Sequence, residues 1–219
     1  MKKIIISLIS AVILISSCSD DLLNENPPNV IYAEKLYSDL TGLEAGINGL
    51  YSLMRYEREG LNASSSLITD VTMSGTDMFA ANHSGNGVSR VSVDWEARNK
   101  PDYNVFEGVF LWLYEIINSS NEIIKNVEER DDIDWSGNDL NEAENKNLIL
   151  AEARVARAFA YRHLTYLWGD VPLNLKPSSD GIIRTDWERT PAAVVRQQVI
   201  KDLLFAEPLI PEEGTITGR

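Results

Sequence analysis

One long segment, residues 142–168, constrains the fold of this chain more than any other feature. Large apolar side chains recur along it at helical spacing, with small residues between them. The small residues are Ala151, Ala153, Ala156, Ala158 and Ala160. Alanines let neighbouring helices approach closely, and Gly169 followed by Pro172 is typical of a helix end. The sequence therefore predicts a long helix packed between other helices.

Three further segments have helical periodicity. The first is predicted to begin at Thr41, because Thr41 and Glu44 have the spacing of a capping box. The second covers residues 105–129 and carries apolar residues on two adjacent stripes, which indicates burial of a wide face. The last is predicted to begin with Thr190 as the cap and Pro191 in the first turn. A mainly α fold follows from these four segments.

Residues 60–103 differ from the rest because they are rich in Ser, Gly, Asn and Asp and lack helical periodicity. Within them, residues 88–93 alternate between apolar and polar side chains, which is the pattern of a short strand. An irregular segment of this length in a compact domain is usually functional or disordered. We therefore expect long irregular loops beside the helices.

The first residues predict export and lipid anchoring. Lys2 and Lys3 precede an apolar run, residues 4–15, that is too short to span a bilayer. Residues 15–18, Ile-Ser-Ser-Cys, match the lipobox of bacterial lipoproteins. Cys18 is therefore the predicted lipidation site, and as the only cysteine it allows no internal disulfide.

These patterns divide the chain into three predicted parts. Residues 1–17 are a signal peptide, residues 18–32 are the lipidated N-terminus with its tether, and residues 33–219 are the helical region. Asp20 and Asp21, just behind the cysteine, resemble the surface-export signal of some outer-membrane lipoproteins. An ordinary solvated linker is the other interpretation of these two residues.

Composition excludes several classes of function. The chain has 33 acidic and 20 basic residues and a net charge of −13, so nucleic acid would be repelled and is not an expected partner. The only histidines are His83 and His163, and no free cysteine remains beside them for a Cys–His nucleophile pair. His163 follows Arg162 on the long helix and is interpreted as a packing or surface residue. No cofactor is predicted.

Residues 132–137 resemble the start of a calcium-binding loop, with side-chain oxygens at positions 1, 3 and 5 and glycine at position 6. The glutamate that should complete such a loop is replaced by Ala143. We interpret these residues as a solvated loop between two helices and predict no metal site.

The segment from Ala151 to Leu173 looks like the signature helix of the SusD/RagB family of outer-membrane nutrient-binding lipoproteins. Its sequence includes Arg-Ala-Phe-Ala-Tyr at residues 157–161 and Gly-Asp-Val-Pro at residues 169–172. Residues 46–51, 112–121 and 189–191 are also similar to the family, in the same order along the chain.

The resemblance implies a SusD-like helical scaffold with tetratricopeptide-like helix pairs and long irregular loops. It also implies a surface-exposed, lipid-anchored protein of the outer membrane that binds oligosaccharide or another nutrient. Such proteins deliver the ligand to a TonB-dependent, SusC-like transporter, and they are not enzymes. Family members are usually more than twice this length, so we expect an N-terminal portion that is incomplete at its C-terminal end.

Sugar binding needs aromatic faces and groups that hydrogen-bond hydroxyls. The irregular segment supplies both, and the predicted ligand-binding residues are Trp95, Asp77, Asp94, Arg98 and Tyr103. The other interpretation of Trp95 is a buried anchor for the loop, which is the more frequent role of a tryptophan. Trp112 and Trp168 are predicted to be core residues. Arg154 and Arg157 are predicted to pair with acidic neighbours or to cap backbone carbonyls.

Two rival functions are also compatible with the sequence. The first is a helical protein–protein adaptor lipoprotein without a small-molecule ligand, for which Trp95 is buried. The second is a hydrolase that uses two of the many carboxylates, because such a pair is defined by spatial separation and not by sequence spacing.

Overall fold

The computed structural model describes residues 33–59, 76, 104–178 and 186–211, and most of these described residues are helical. Helix α1 is the short Ala33–Leu36, followed by α2 at Leu40–Glu59, α3 at Asn104–Glu129, α4 at Glu142–Trp168 and α5 at Ala192–Ala206. These residues all belong to one unit, Ala33–Arg219. The predicted mainly α fold is confirmed.

Helix α4 is the centre of the packing, because α2, α3 and α5 all contact it. Four of its alanines, Ala151, Ala153, Ala158 and Ala160, are almost completely buried. Their small side chains leave room for the larger residues of the facing helices, which include Leu113 and Ile116 of α3 and Val195 of α5. The close packing predicted from the alanines is therefore confirmed.

Helix α4 begins and ends where the sequence predicts. The Asn141 side chain accepts a hydrogen bond from the Glu144 amide at 3.0 Å, and the Glu144 carboxylate accepts one from the Asn141 amide at 2.8 Å. This reciprocal capping box satisfies two amides that the first turn leaves unpaired. At the other end, Gly169 adopts a φ of 73°, a conformation that glycine adopts with little strain.

The predicted start of α2 at Thr41 is wrong. The helix begins at Leu40, and the cap is Asp39, whose carboxylate accepts a hydrogen bond from the Gly42 amide at 2.8 Å. Asp39 is held by a neighbouring backbone bridge, in which the Leu40 amide donates to the Asp134 carbonyl at 2.8 Å. A tertiary contact therefore selects a cap two residues earlier than the local pattern suggests.

The predicted cap of α5 is also wrong. Thr190 does not cap the helix with its side chain; its backbone instead pairs with Val171 in an antiparallel bridge. The Ala192 amide donates to the carboxylate of Asp170 at 2.8 Å, and Asp170 lies in the turn that follows α4. The turn after one helix thus caps the start of the next.

Several predictions fall outside the part of the chain that the structure describes. They are the signal peptide, the tether with Cys18, most of the irregular segment 60–103 and its short strand at residues 88–93. Among the described helices, none is long and apolar enough to cross a membrane.

Candidate functional site

The ligand-binding residues predicted from the sequence, Trp95, Asp77, Asp94, Arg98 and Tyr103, lie outside the described residues. They remain predictions.

The described residues instead form a cleft that sequence reasoning missed, and we call it the aromatic cleft. Its volume is about 380 Å³, and its lining residues are Phe110, Leu111, Tyr114, Ile117, Asn118, Pro172, Asn174, Ser178 and Trp187.

One wall of the aromatic cleft is a group of packed rings. The rings of Phe110 and Tyr114, one helical turn apart on α3, have centroids 4.7 Å apart. Phe110 also meets Trp168 of α4 edge to face at 5.3 Å. Trp168 is partly buried and packs against the core, as predicted, and it supports the wall from behind. These ring contacts hold the wall together.

Trp187 lies across the cleft on the segment that precedes α5, and 43% of its surface is exposed. An exposed indole beside packed rings is an apolar surface of the kind that stacks on the flat face of a pyranose. Leu111 at the mouth is exposed as well, at 61%. Apolar area of the cleft lining therefore remains exposed to solvent.

Two amides supply the polar part of the aromatic cleft. The Asn118 side-chain oxygen accepts a hydrogen bond from the Ser178 amide at 2.8 Å, and the Asn174 side-chain oxygen accepts one from the Lys176 amide at 3.2 Å. These bonds fix the orientation of each amide. No described residue accepts a hydrogen bond from either NH2 group. As far as the described residues are concerned, both NH2 groups keep their capacity to donate to ligand hydroxyls.

Two tyrosine phenols fasten the segment after α4 to the helices. The Tyr114 hydroxyl donates to the Pro172 carbonyl at 2.7 Å, and the Tyr161 hydroxyl donates to the Asn174 carbonyl at 2.7 Å. Burial raises the pKa of Tyr114 well above its usual value, and the charge of a nearby ionised Tyr161 raises it further. Burial likewise raises the pKa of Tyr161, against the smaller opposing effects of the Asn174 backbone and Arg157. Both phenols therefore stay neutral donors under ordinary conditions.

A buried chain of charged and amide groups connects α5 to the aromatic cleft. The Arg157 guanidinium donates to both carboxylate oxygens of Asp202, at 2.9 and 2.7 Å, and to the Asn121 side-chain oxygen at 2.8 Å. The Asn121 amide in turn donates to the carbonyls of Asn174 at 3.1 Å and Lys176 at 3.4 Å. The side chains of Arg157, Asp202 and Asn121 are all buried and paired, which is what a low-dielectric interior requires. The network holds the cleft wall against the helices.

The sequence predictions for the arginines and for Trp112 are confirmed. Arg157 pairs with Asp202, and Arg154 pairs with Glu128 at 2.7 Å. Trp112 is buried, and its indole nitrogen donates to the Leu53 carbonyl at 2.9 Å. Sequence reasoning did not single out Trp187, although a tryptophan in a short polar stretch between two helices is a signal that could have found it.

The calcium-like loop holds its carboxylates against protein donors. The Asp132 carboxylate accepts two hydrogen bonds from the Arg130 guanidinium, at 2.8 and 2.9 Å. The Asp134 carboxylate accepts one from the Ser136 amide at 2.9 Å, and hydrogen bonding to Ser136 lowers the pKa of Asp134 below its usual value. These contacts hold the loop in its described conformation.

Helices packed around α4 that carry an aromatic cleft with oriented amides define a structural class, a helical scaffold with a surface cleft. The sequence identifies it further. The chain belongs to the SusD-like family, because residues 22–217 match the family described as "Starch-binding associating with outer membrane". The resemblance to the SusD/RagB family is thereby confirmed, and a family described as starch-binding agrees with the prediction that the chain is not an enzyme.

Two curated relatives come from Formosa agariphila. SusD-like protein P2 is 28% identical over 213 residues, which cover 97% of this chain and 39% of that protein. SusD-like protein P25 is 28% identical over 230 residues, which cover 94% of this chain and 39% of that protein. This chain therefore spans about two fifths of the length of these relatives.

Solved structures share the fold at low sequence identity. A laminarin-binding SusD-like protein superimposes with a TM-score of 0.61 at 19% identity, over 80% of this chain and 35% of that one. A SusD superfamily protein from Bacteroides thetaiotaomicron gives a TM-score of 0.59 at 23% identity, over 80% of this chain and 36% of that one. A crystal structure with a xylogluco-oligosaccharide gives 0.58 at 21% identity, over 81% of this chain and 31% of that one.

Proposed function

We propose that this protein binds oligosaccharide at the outer surface of the cell and delivers it to a TonB-dependent, SusC-like transporter. The observation that carries the proposal is the aromatic cleft, in which Trp187 faces a packed aromatic wall beside two oriented amides. Membership of a family described as starch-binding and associated with the outer membrane supports it. Related folds from a laminarin-binding protein and from a structure with a xylogluco-oligosaccharide point to the same ligand class.

The chemistry of the aromatic cleft suits a neutral sugar. A pyranose presents an apolar face of C–H groups and a rim of hydroxyls, and the cleft offers Trp187 to the face and the Asn118 and Asn174 amides to the rim. None of the described side chains that line this cleft carries a formal charge. In the same proposal, Trp95, Asp77, Asp94, Arg98 and Tyr103 extend the binding surface along the irregular segment.

The proposal includes anchoring by lipid at Cys18, after removal of residues 1–17, with residues 18–32 as the tether of the helical region at 33–219. Two or more acyl chains bind a membrane stably, so the processed protein would stay on the outer membrane. Replacement Cys18→Ala is expected to release the protein from membranes and to abolish the mass added by the acyl chains. Equal membrane association and unchanged mass in the variant would contradict lipidation.

Affinity electrophoresis of the full chain in mild detergent tests the binding proposal. Native gels containing laminarin, xyloglucan or starch are compared for the unmodified protein, Trp187→Ala and Trp95→Ala. Leu204→Ala is the matched control, because it also removes an exposed apolar side chain, 63% exposed on α5, but lies outside the cleft. We expect retardation by at least one polysaccharide and about tenfold weaker binding for Trp187→Ala.

The outcomes separate the candidate functions. Loss of retardation in Trp187→Ala but not in Leu204→Ala supports binding in the aromatic cleft, and loss in Trp95→Ala extends the site to the irregular segment. Equal retardation of all variants contradicts a binding role for Trp187 and for Trp95. A protein that no polysaccharide retards contradicts the proposal and favours a protein–protein adaptor.

A further inference from the structure

A second cleft, chemically unlike the first, opens where α2, α4 and α5 meet. We call it the charged cleft. Its volume is about 460 Å³, and its lining residues are Glu57, Arg162, His163, Thr165, Tyr166, Arg196 and Val199. It shares no lining residue with the aromatic cleft. Glu57 is the only carboxylate among these lining residues, whereas Arg162 and Arg196 bring two permanent positive charges.

The Glu57 carboxylate is held by His163 of α4. The Nε2 atom of His163 lies 3.0 Å from Glu57 Oε1, and its Nδ1 atom lies 2.9 Å from the Phe159 carbonyl oxygen. Both neighbours are hydrogen-bond acceptors, and each lies within hydrogen-bond distance of one ring nitrogen of His163. The side chains of His163 and Glu57 are only 13% and 19% exposed. The negative charge in the charged cleft is therefore already committed to a protein donor.

The two arginines are not committed in this way. Arg162 and Arg196 are exposed, and neither guanidinium forms a hydrogen bond or ion pair within the described parts of the chain. By contrast, Arg130, Arg154 and Arg157 each hold a carboxylate at 2.8 Å or less. Two unengaged guanidiniums in one cleft are notable in a protein with a net charge of −13.

Tyr166 adds an aromatic face to this charge. It follows Arg162 by one helical turn on α4, and 74% of its surface is exposed. We propose that the charged cleft is a second binding site, for an acidic sugar bearing a carboxylate or a sulfate. The guanidiniums hold the planar or tetrahedral anion through paired N–H donors, and the Tyr166 ring packs on the apolar face of the sugar.

Size and chemistry favour a saccharide over an acidic peptide. The cleft volume lies in the range of small-ligand sites, which is enough for one or two sugar rings. The flat ring of Tyr166 matches a pyranose face, and Val199 adds apolar surface for the C–H groups of the sugar. This inference goes beyond the proposed function, because it concerns different residues and an anionic sugar. The aromatic cleft is proposed to bind a neutral sugar.

Isothermal titration calorimetry on the full chain in mild detergent tests the charged cleft. The probe is trigalacturonate, and its methyl ester is the matched neutral sugar. The variants are Arg162→Gln, Arg196→Gln and their combination, which alter exposed side chains. Lys201→Gln is the control, because it removes one positive charge from an exposed position of α5 outside the cleft. We expect binding of the acid, about tenfold weakening for each arginine removed, and no change for Lys201→Gln.

Further measurements separate an acidic-sugar site from a simple ion site and from a peptide site. Weaker binding of the methyl ester and loss of affinity in high salt support an anionic sugar site. Equal binding of the ester, equal weakening by Lys201→Gln, or no heat at millimolar trigalacturonate overturns the proposal. Inorganic sulfate or a hexaglutamate peptide that binds as tightly as trigalacturonate also overturns it, in favour of a simple ion site or a protein partner. Affinity electrophoresis of Trp187→Ala tests the aromatic cleft, and calorimetry of the arginine variants tests the charged cleft. Either proposal can therefore fail while the other holds.

Discussion

Arg157 and Arg162 lie five residues apart on α4 and have opposite environments. Arg157 is buried and holds Asp202 of α5 through two hydrogen bonds, whereas Arg162 is exposed in the charged cleft, which it lines together with Arg196 of α5. The same residue type on one helix thus serves stability at one position and, in the site that we propose for the charged cleft, recognition at the other. The difference comes from what α5 presents to each arginine, a carboxylate or a second guanidinium.

The largest expected effect is on the buried side of this comparison. Replacement Asp202→Ala leaves the Arg157 guanidinium buried without its carboxylate, and we expect the free energy of unfolding to fall by about 3–5 kcal/mol. Arg162→Gln, at an exposed position, should change it by less than about 0.5 kcal/mol. Urea denaturation of the three proteins measures both values. A loss below about 1 kcal/mol for Asp202→Ala would show that the buried pair contributes little to stability.

The dependence of stability on pH sharpens the comparison on the side of the buried groups, which include two tyrosine phenols. Because burial raises the pKa of Tyr114 and Tyr161 above the usual 10.0, the folded protein keeps both phenol protons at a pH where the unfolded chain loses them. Stability is therefore full below pH 10 and falls as the pH rises above it. The decline is at most about 1.4 kcal/mol per pH unit for Tyr161, and it is smaller for Tyr114, which solvent reaches in part.

Replacement of one phenol checks the cause of this alkaline loss. Tyr114→Phe removes one ionising group together with one hydrogen bond to the Pro172 carbonyl, so it lowers stability at neutral pH by about 1 kcal/mol. It should also make the decline above pH 10 shallower than in the unmodified protein. Denaturation curves recorded from about pH 7 to about pH 11 test this, and parallel declines would exclude Tyr114 as a source.

The smallest expected effect concerns the start of α5. Asp170→Ala removes the carboxylate that accepts from the Ala192 amide, and we expect a loss of about 1 kcal/mol. Thr190→Val changes the residue that the local sequence pattern predicts as the cap, and it should cost no more than about 0.5 kcal/mol. Thermal unfolding of these two variants decides whether the helix cap is Asp170 of the preceding turn or the adjacent Thr190.

Much of the fold could be predicted because its signals are local. The bounds of α4 follow from apolar periodicity, the Asn141 cap and Gly169, all of which lie within the helix or next to it. The starts of α2 and α5 could not be predicted as well. Their caps, Asp39 and Asp170, are held in place by backbone bridges to Asp134 and by the turn after α4.

The candidate site was harder to predict than the helices. The aromatic cleft joins α3 residues such as Phe110 and Asn118 to Trp187, which lies about seventy residues further along the chain. Helical periodicity identifies Phe110 as apolar but not whether its ring faces another helix or an open cleft. The loop residues centred on Trp95 rest on the family resemblance and on composition, and they stay predictions.

By itself, the sequence determined the helices, their apolar faces and the family, because periodicity and the 151–173 signature are readable along one stretch of chain. Only the tertiary structure decided which polar residues are paired and which are available. Arg157 and Arg162 have the same side chain and the same helical propensity, and their roles diverge because α5 places Asp202 against one and Arg196 in the same cleft as the other. Pairing depends on distances of a few ångströms between helices, and local sequence does not encode those distances.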